Sequence, residues 1–457
     1  MRLARALRCT EPVRLALVGA GGKTTALFRL AHELSTSGGN QAARRLALVS
    51  TSTHLGEEQC AFADFHFPVG DIKELESLEP HLPDGVVLIT GSHRESGRIS
   101  GLDLPLLDRL LDVSEKRKCS LLIEADGSRM RPVKAPASHE PALPQWVDTV
   151  VVCAGLSAIG KPLNSEWVHR PELFARLSGL SQDEPINPVA LCSVLLHPQG
   201  GLKSIPDRAR RIVLLNQADT AEKQSTARGI VNSLLDQYLA VLIAALAPFE
   251  SELLPQGEGE IFAIHERVAG IVLAAGGSTR LGRPKQTLQW QGEPIIRRVA
   301  KTTLAAGLQP VIVVTGAAAS DVEGALVGLP IQIVNNPDWE AGQSSSVKAG
   351  LQSVPGGTGA VVYLLADQPH VSKELLNSLV ELHATSFAPL VAPEVQGQRG
   401  NPVLFDRQTF PALFALEGDV GGRPLFSRYQ AAWLPWHDSS ILMDIDSPED
   451  YQRLVEG

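Results

Sequence analysis

Cysteine is scarce in this 457-residue chain: there are five, Cys9, Cys60, Cys119, Cys153 and Cys192, all in the first half and none in a Cys-x-x-Cys pair. An odd, scattered set argues against a disulfide framework or structural zinc site, and fits reduced cytosolic thiols. Cys153 lies in the apolar run 150–154, where it reads as a small buried hydrophobe. An excess of positive charge is also missing. The net charge is −9 and the isoelectric point about 5.8, so bulk attraction to nucleic acid or an anionic membrane is not expected. Long apolar runs are lacking too: the stretch from Leu239 to Phe249 is too short to span a bilayer and contains Pro248. Arg2, Arg5 and Arg8 lead straight into a glycine loop that signal cleavage would destroy, so no export signal is read and a cytoplasmic location is expected.

The composition is that of a folded α/β protein, with 44% hydrophobic and 20% charged residues. The length calls for two or three domains. Strand-like runs fall at 13–18, 45–50, 86–90, 120–124, 149–153 and 211–215, separated by helical patterns such as Thr24 to Leu34 and Ala227 to Leu246. The rhythm resumes with strands expected near 270–274, 310–315, 330–334, 360–366, 389–392 and 441–445. Such alternation predicts mostly parallel sheets flanked by helices. The polar stretch 255–260 interrupts it, which divides the chain into domains 1–265 and 266–457.

Each half carries a glycine loop after a strand, a place where backbone N–H groups and a helix start favour an anion. The first is Gly19-Ala20-Gly21-Gly22-Lys23-Thr24-Thr25. It is shorter than a full P-loop, since Leu17 stands where the leading glycine belongs. Lys23 could still reach β and γ phosphates and Thr24 could hold Mg²⁺; a tight turn without ligand is the bland alternative. Two further features favour a nucleotide. Strand 120–124 ends in Glu124 and Asp126, as a metal-coordinating strand does, and strand 212–215 runs into Asn216-x-x-Asp219, the spacing of a guanine-reading signature. Gln217 replaces the lysine of that signature, which leaves ATP and GTP both open. His54, His139 and His169 are given no ligand role.

The first half resembles the YqeC-like accessory family linked to selenium-dependent molybdenum hydroxylases. The resemblance rests on 19–25, Thr51-Ser52-Thr53-His54, Glu124-Ala125-Asp126-Gly127-Ser128-Arg129, Lys134-Ala135-Pro136, Gly160-Lys161-Pro162-Leu163-Asn164 and His169-Arg170-Pro171-Glu172. It implies a pathway, with transient contact to a hydroxylase, more than a reaction.

The second loop is Ala274-Ala275-Gly276-Gly277-Ser278-Thr279-Arg280-Leu281-Gly282, with Lys285 at its exit. It has the form of a nucleotidyltransferase loop. Gly276 and Gly277 supply close backbone, Arg280 suits the β and γ phosphates, and Lys285 can offset charge near the α-phosphate. A dinucleotide-binding turn fares worse, because no Gly-x-Gly-x-x-Gly occurs. Mg²⁺ bridging the phosphates would need carboxylates at strand ends. Asp367, after the strand 361–365, is the first choice; Asp444 and Asp446 would share one face if 441–446 is extended. Asp446 could instead cap the helix starting at Ser447-Pro448. Ser344 and Ser345, with Ser346, open a helix where hydroxyl and N–H groups could contact a base or pterin.

Residues 268–457 resemble the MobA-like NTP transferases, most closely the molybdenum cofactor cytidylyltransferases. The matching segments are 273–285, Asn336-Pro337-Asp338-Trp339, Gly342-Gln343-Ser344-Ser345-Ser346-Val347, Ala366-Asp367-Gln368-Pro369, Gly400-Asn401-Pro402-Val403-Leu404 and Gly418-Asp419-Val420-Gly421-Gly422-Arg423. The resemblance implies a Rossmann-like nucleotidyltransferase domain beside a P-loop-like accessory domain. It also implies Mg²⁺ and CTP as the donor pair, and molybdopterin as the acceptor, held by Gly400, Asn401, Pro402, Gly421, Gly422 and Arg423. Ala275 stands where guanylyl-transferring relatives carry glycine, and its methyl could narrow the pocket toward a pyrimidine. Two alternatives stay open: transfer to another phosphate acceptor, and a cofactor carrier or insertion protein without turnover. No nucleic-acid or membrane partner is expected.

Overall fold

The computed structural model describes residues 1–10, 12–36, 44–92, 94, 95, 97–247, 260–277 and 283–456. It divides into two compact units, Met1–His265 and Glu266–Gly457.

The first unit is built on nine strands: β1 Arg14–Gly19, β2 Leu46–Thr51, β3 Phe65–Val69, β4 Gly85–Gly91, β5 Ser120–Glu124, β6 Thr149–Gly155, β7 Arg210–Asn216, β8 Ala240–Ala245 and β9 Glu260–Glu266. Their order in the sheet is β9-β8-β7-β6-β1-β5-β2-β4-β3. The pairings from β8 through β3 are all parallel. β2, β4, β5 and β6 are buried at every position, as expected of strands covered on both faces. β1 sits between β5 and β6, so its glycine loop emerges beside the carboxyl ends of both neighbours. That loop feeds helix α1, Lys23–Ser35. The stretch Ala227 to Leu246, expected as one helix, is two elements: a helix α2, Ala221–Leu235, and strand β8. A β-branched, fully apolar run belongs inside the sheet, and burial overrides the helical spacing there.

The second unit has β10 Val268–Ala274, β11 Val311–Thr315, β12 Gln332–Asn335, β13 Ala360–Leu365, β14 Leu390–Val395, β15 Gln398–Arg399, β16 Val403–Asp406 and β17 Ala431–Pro435. The order is β12-β11-β10-β13-β16-β14-β15, with β17 parallel to β14. β10 to β13 pair in parallel, whereas β16 runs antiparallel to β13 and β14. Alternate residues of β10 face two cores. Val268, Val272 and Ala274 pack with helix α3 (Ile295–Ala305) and helix α5 (Lys373–Ser386), while Ala269 and Ile271 pack with α4, Gln343–Gln352.

The strand expected at 441–445 is absent. Ser439–Leu442 forms a 3₁₀ turn and 443–446 is irregular, so the Asp-x-Asp pair is not presented on one strand face. Asp438 accepts from Ser440 N–H (2.9 Å) and opens the turn, a local capping bond that outcompetes extension.

Candidate functional site

In the first unit the glycine loop is packed shut. Gly19, Gly21 and Gly22 all have positive φ. A Cβ on Gly19 would stand 2.2 Å from the Cys153 carbonyl oxygen, one on Gly21 2.4 Å from Gly155 N, and one on Gly22 2.2 Å from Asn216 Nδ2. Close packing against β6 and β7 therefore demands the glycines. The loop's first three N–H groups are engaged: Gly19 donates to both Asp126 carboxylate oxygens (3.0 and 3.1 Å), Ala20 to the Cys153 carbonyl (2.9 Å) and Gly21 to the Arg131 carbonyl (3.2 Å).

Lys23, expected on phosphates, is 3% exposed. Its Nζ donates to the Gly19 carbonyl at 2.7 Å and lies 3.3 Å from Asp126 and 3.7 Å from Glu124. Burial opposes its charge, but the two carboxylates more than compensate and hold its pKa above the ordinary value. Burial holds Glu124 above its ordinary value, and Thr24, expected on a metal, donates to Glu124 at 2.8 Å. The network runs on from Asp126 to Lys134 (2.9 Å), to Glu140 (2.7 Å) and to Arg170, which grips Glu140 with both nitrogens at 2.6 and 2.8 Å. Partial burial works against the Glu140 charge, yet Arg170 and Lys134 hold its pKa down to about 2. Burial together with Arg170 and Lys134 depresses His169 to about 4. Burial pushes the Cys153 thiol up to about 12.

The guanine-reading pair is split. Asn216 is 2% exposed, donates to the Gly21 carbonyl (2.8 Å) and accepts from Leu246 N–H (2.9 Å). Asp219 is exposed and tied to Lys223 at 2.5 Å. Gln217 takes positive φ and its Oε1 accepts from Ser157 at 2.6 Å. Asn216 thus serves the loop backbone, because β7 ends against it.

In the second unit the loop opens onto a cleft with about 1100 Å³ of empty space. Gly276, Gly277, Lys285, Gln343, Asp367 and Asp419 are among its walls. Arg280 lies outside the described residues. Lys285 Nζ reaches the Asp367 carboxylate and, at 2.8 Å, Asp446 Oδ1. These two carboxylates therefore converge on one cation, although 161 positions separate Lys285 from Asp446. Asp444 turns elsewhere: its Oδ1 accepts from Gln368 Nε2 at 2.6 Å. Desolvation raises the Asp444 pKa, and the charges of Asp367 and Asp446 add to the effect.

Sequence reasoning missed Gln286. Its 2%-exposed amide donates to the carbonyls of Gly276 (2.9 Å) and Ala274 (3.3 Å) and pins the loop from behind. Only its adjacency to Lys285 hinted at this. Ala275 is buried, its methyl facing Gly316, and Trp339 closes on Gly277, where a Cβ would lie 3.2 Å from the indole. Ser344 and Ser346 are buried, and Asn336 Nδ2 donates to Ser345 Oγ (2.8 Å) and Ser346 Oγ (3.0 Å). Of the serines, Ser346 lines the cleft.

A second cleft, also about 1100 Å³, shares Leu273, Gln343, Leu365 and Asp419 with the first. Asn401, Gly421, Gly422 and Arg423 line it, which brings together two segments the sequence places about twenty residues apart. Gly400 is buried beneath, a Cβ there meeting Ile441 at 3.0 Å, and the buried Pro402 leads into β16.

Residues 15–172 match the family model of the YqeC protein, and residues 270–432 match that of the MobA-like NTP transferase domain. Uncharacterized protein YqeC of Escherichia coli (strain K12) is 34% identical over 46% of this chain and 78% of its own length. Purine catabolism protein PucB of Bacillus subtilis (strain 168) is 36% identical over 40% of this chain and 94% of its own. Nicotine blue oxidoreductase of Paenarthrobacter nicotinovorans is 34% identical over 41% of this chain and 96% of its own. The two glycine loops, one packed shut and one open, thus fall in different families: the chain belongs to the YqeC family through its first unit and to the MobA-like NTP transferases, a nucleotidyltransferase family, through its second.

Proposed function

We propose that the second unit transfers CMP from CTP to the terminal phosphate of molybdopterin, giving molybdopterin cytosine dinucleotide and pyrophosphate. The observation that carries this reading is the pair of joined clefts. One has the glycine loop, Lys285 and Asp367; the other has Asn401, Gly421, Gly422 and Arg423; and Leu365, two residues before Asp367, forms part of both walls. A donor and an acceptor lying across that shared wall meet beside Lys285. The acceptor phosphate oxygen bonds to the α-phosphorus of CTP as the bond to the bridging oxygen breaks, and pyrophosphate leaves. Lys285 offsets charge at the α-phosphate, the Gly276 and Gly277 backbone approaches the triphosphate, and Gln286 keeps that backbone in place. Catalysis is positioning plus charge neutralisation, with no protein nucleophile.

The donor set suits Mg²⁺. This ion takes one or two carboxylates and completes its shell with phosphate oxygens and water. Asp367 and Asp446, already converging on a single cation, are the residues that would hold it. Bound there, Mg²⁺ would supply neutralisation of the triphosphate charge. Asp444, hydrogen-bonded to Gln368, orients rather than ligates. Ala275, which lines the donor cleft, is the residue that would narrow the base pocket toward cytosine.

The first unit, on this reading, binds ATP or GTP through the N–H groups of Gly22 to Thr25 at the start of α1, and Lys23 leaves Asp126 and Glu124 to do so. It assists modification of the cofactor or its delivery to a molybdenum hydroxylase. A redox role, suggested by one relative's name, lacks a Gly-x-Gly-x-x-Gly fingerprint anywhere in the sequence.

The test is to incubate the full chain with Mg²⁺, molybdopterin and either CTP or GTP, and to measure pyrophosphate and the dinucleotide by mass. Pyrophosphate with CTP alone is expected. Equal turnover of GTP would remove the Ala275 argument. Retained pterin without pyrophosphate would establish a carrier, and turnover only with a different phosphate ester would establish another acceptor.

A further inference from the structure

Two arginines, Arg399 and Arg423, line the acceptor cleft. Arg399 ends β15, and Arg423 opens the 3₁₀ turn Arg423–Ser427. Arg399 is half-buried, and no ion pair joins either arginine to a carboxylate among the described residues. The charged neighbour that acts on Arg399 is Arg423 itself: burial, and then that second positive charge, hold the Arg399 pKa below its ordinary value. Arg423 is exposed, so the cost of the like charges falls on the half-buried Arg399, and an anion bound there would offset it.

Arg399 is also held in place. Its guanidinium carbon lies 4.8 Å from the centroid of the Phe426 ring. Phe426 stacks on Trp433 with centroids 5.5 Å apart and an interplanar angle of 26°. Stacking on an aromatic face orients a planar guanidinium and lowers the entropy lost when its donors are used. Nothing in the sequence reading pointed to Arg399.

The cleft is short of proton acceptors as well. Asp419 is the one acidic residue of its lining, and its Oδ1 accepts from Gln343 N–H (3.1 Å) at the start of α4. Tyr363 is the one phenol, and it donates to the Val347 carbonyl at 2.8 Å. An alcohol acceptor must surrender a proton as its oxygen attacks phosphorus; a phosphate monoester dianion has none to lose.

We propose that Arg399, oriented by the Phe426–Trp433 stack and sharing its cleft with Arg423, is the group that holds the acceptor's phosphate monoester. The inference rests on the acceptor assignment made above. In the step it serves, one phosphate oxygen forms the new bond to the α-phosphorus, the bond from that phosphorus to the pyrophosphate oxygen breaks, and no proton changes place.

The experiment uses the full chain with α,β-methylene-CTP and Mg²⁺. It compares the dissociation constants of molybdopterin and of its dephosphorylated alcohol for the parent, Arg399→Lys and Arg399→Ala. The parent should prefer the phosphorylated form by about tenfold or more, Arg399→Ala should bind both alike within about twofold, and Arg399→Lys should keep part of the preference. The dissociation constant for the CTP analogue should stay within about twofold in each variant, which checks folding. An Arg399→Ala protein that still prefers the phosphorylated form to the parent's extent would overturn the proposal. If the parent binds no molybdopterin, the acceptor assignment fails instead. Inorganic phosphate, followed by ³¹P line broadening, then decides the role of Arg399: saturable binding lost in Arg399→Ala sustains it, and equal binding in both proteins sinks it.

Discussion

The two glycine loops begin alike, each at the carboxyl end of a central parallel strand, and end in opposite states. The loop at Gly19–Gly22 spends three successive N–H groups on protein acceptors and folds its lysine onto two buried carboxylates. The loop at Ala274–Gly277 is held through its carbonyls, by the Gln286 amide and the Ala317 N–H, and faces an open cleft. Glycine is required in the first because backbone and side chains crowd it. In the second, no heavy atom lies within 4 Å of where a Gly276 Cβ would be. A glycine-rich stretch therefore has two physical meanings, close packing and ligand access, and the contacts around the missing Cβ tell them apart.

Replacing the lysines should separate the loops most widely. Lys23→Met leaves the buried Glu124 without its nearest cation and Asp126 with Lys134 alone, and should cost about 3–5 kcal/mol in denaturant unfolding. Lys285→Met, at a solvated cleft, should cost about 1 kcal/mol. Equal losses would mean that the second loop is as closed as the first. Activity sharpens the contrast from the other side. Asp367→Asn should slow Mg²⁺-dependent pyrophosphate release about a hundredfold or more, because it removes a charge where the phosphates and Lys285 meet. Release at the parent rate would place the chemistry elsewhere.

The glycines come next. Gly19→Ala forces a methyl to within 2.2 Å of the Cys153 carbonyl oxygen at a φ of +93°. It should lower stability by about 2–3 kcal/mol. Gly276→Ala should shift stability by no more than about 0.5 kcal/mol. Its effect should show in CTP affinity instead. The last effect is confined to acid. Glu140 has a folded-state pKa of about 2, below the ordinary 4.5. A depressed carboxylate contributes stability that is complete above the ordinary value and is lost as the pH falls through the folded one. Thermal melts of the parent should therefore fall between about pH 4.5 and pH 2 more steeply than those of Glu140→Gln. Parallel curves would show that the Lys134–Glu140–Arg170 chain adds nothing to folding.

Much of the architecture was legible. Most strands were visible as short apolar, β-branched runs, since strands buried on both faces must be continuously apolar. The exceptions are physical. Ala240–Ala245 reads as the tail of an amphipathic helix because periodicity cannot separate a buried strand from a buried helix. Ile441–Asp446 alternates like a strand, but the Asp438 cap and the ion pair from Asp446 to Lys285 hold it in a turn. Family likeness drew together the segments at 400–402 and 421–423; it did not reveal Arg399 or Gln286. One is significant for the cleft and the ring it shares with Arg423 and Phe426, the other for the loop carbonyls it bonds, and none of these neighbours is adjacent in the chain.

The sequence by itself determined that there are two glycine loops, that each follows a strand, and which chemistry their lysines and carboxylates could support, because strand and turn preferences are local. The tertiary structure decided which loop is open. Strand order sets β6 and β7 against Gly19–Gly22 and engages three of its donors, while the ring of Trp339, the amide of Gln286 and the carboxylates of Asp367 and Asp446 assemble around Gly276 and Gly277. Which partner a polar group finds depends on distances across the fold, and those exist only once the chain has closed on itself.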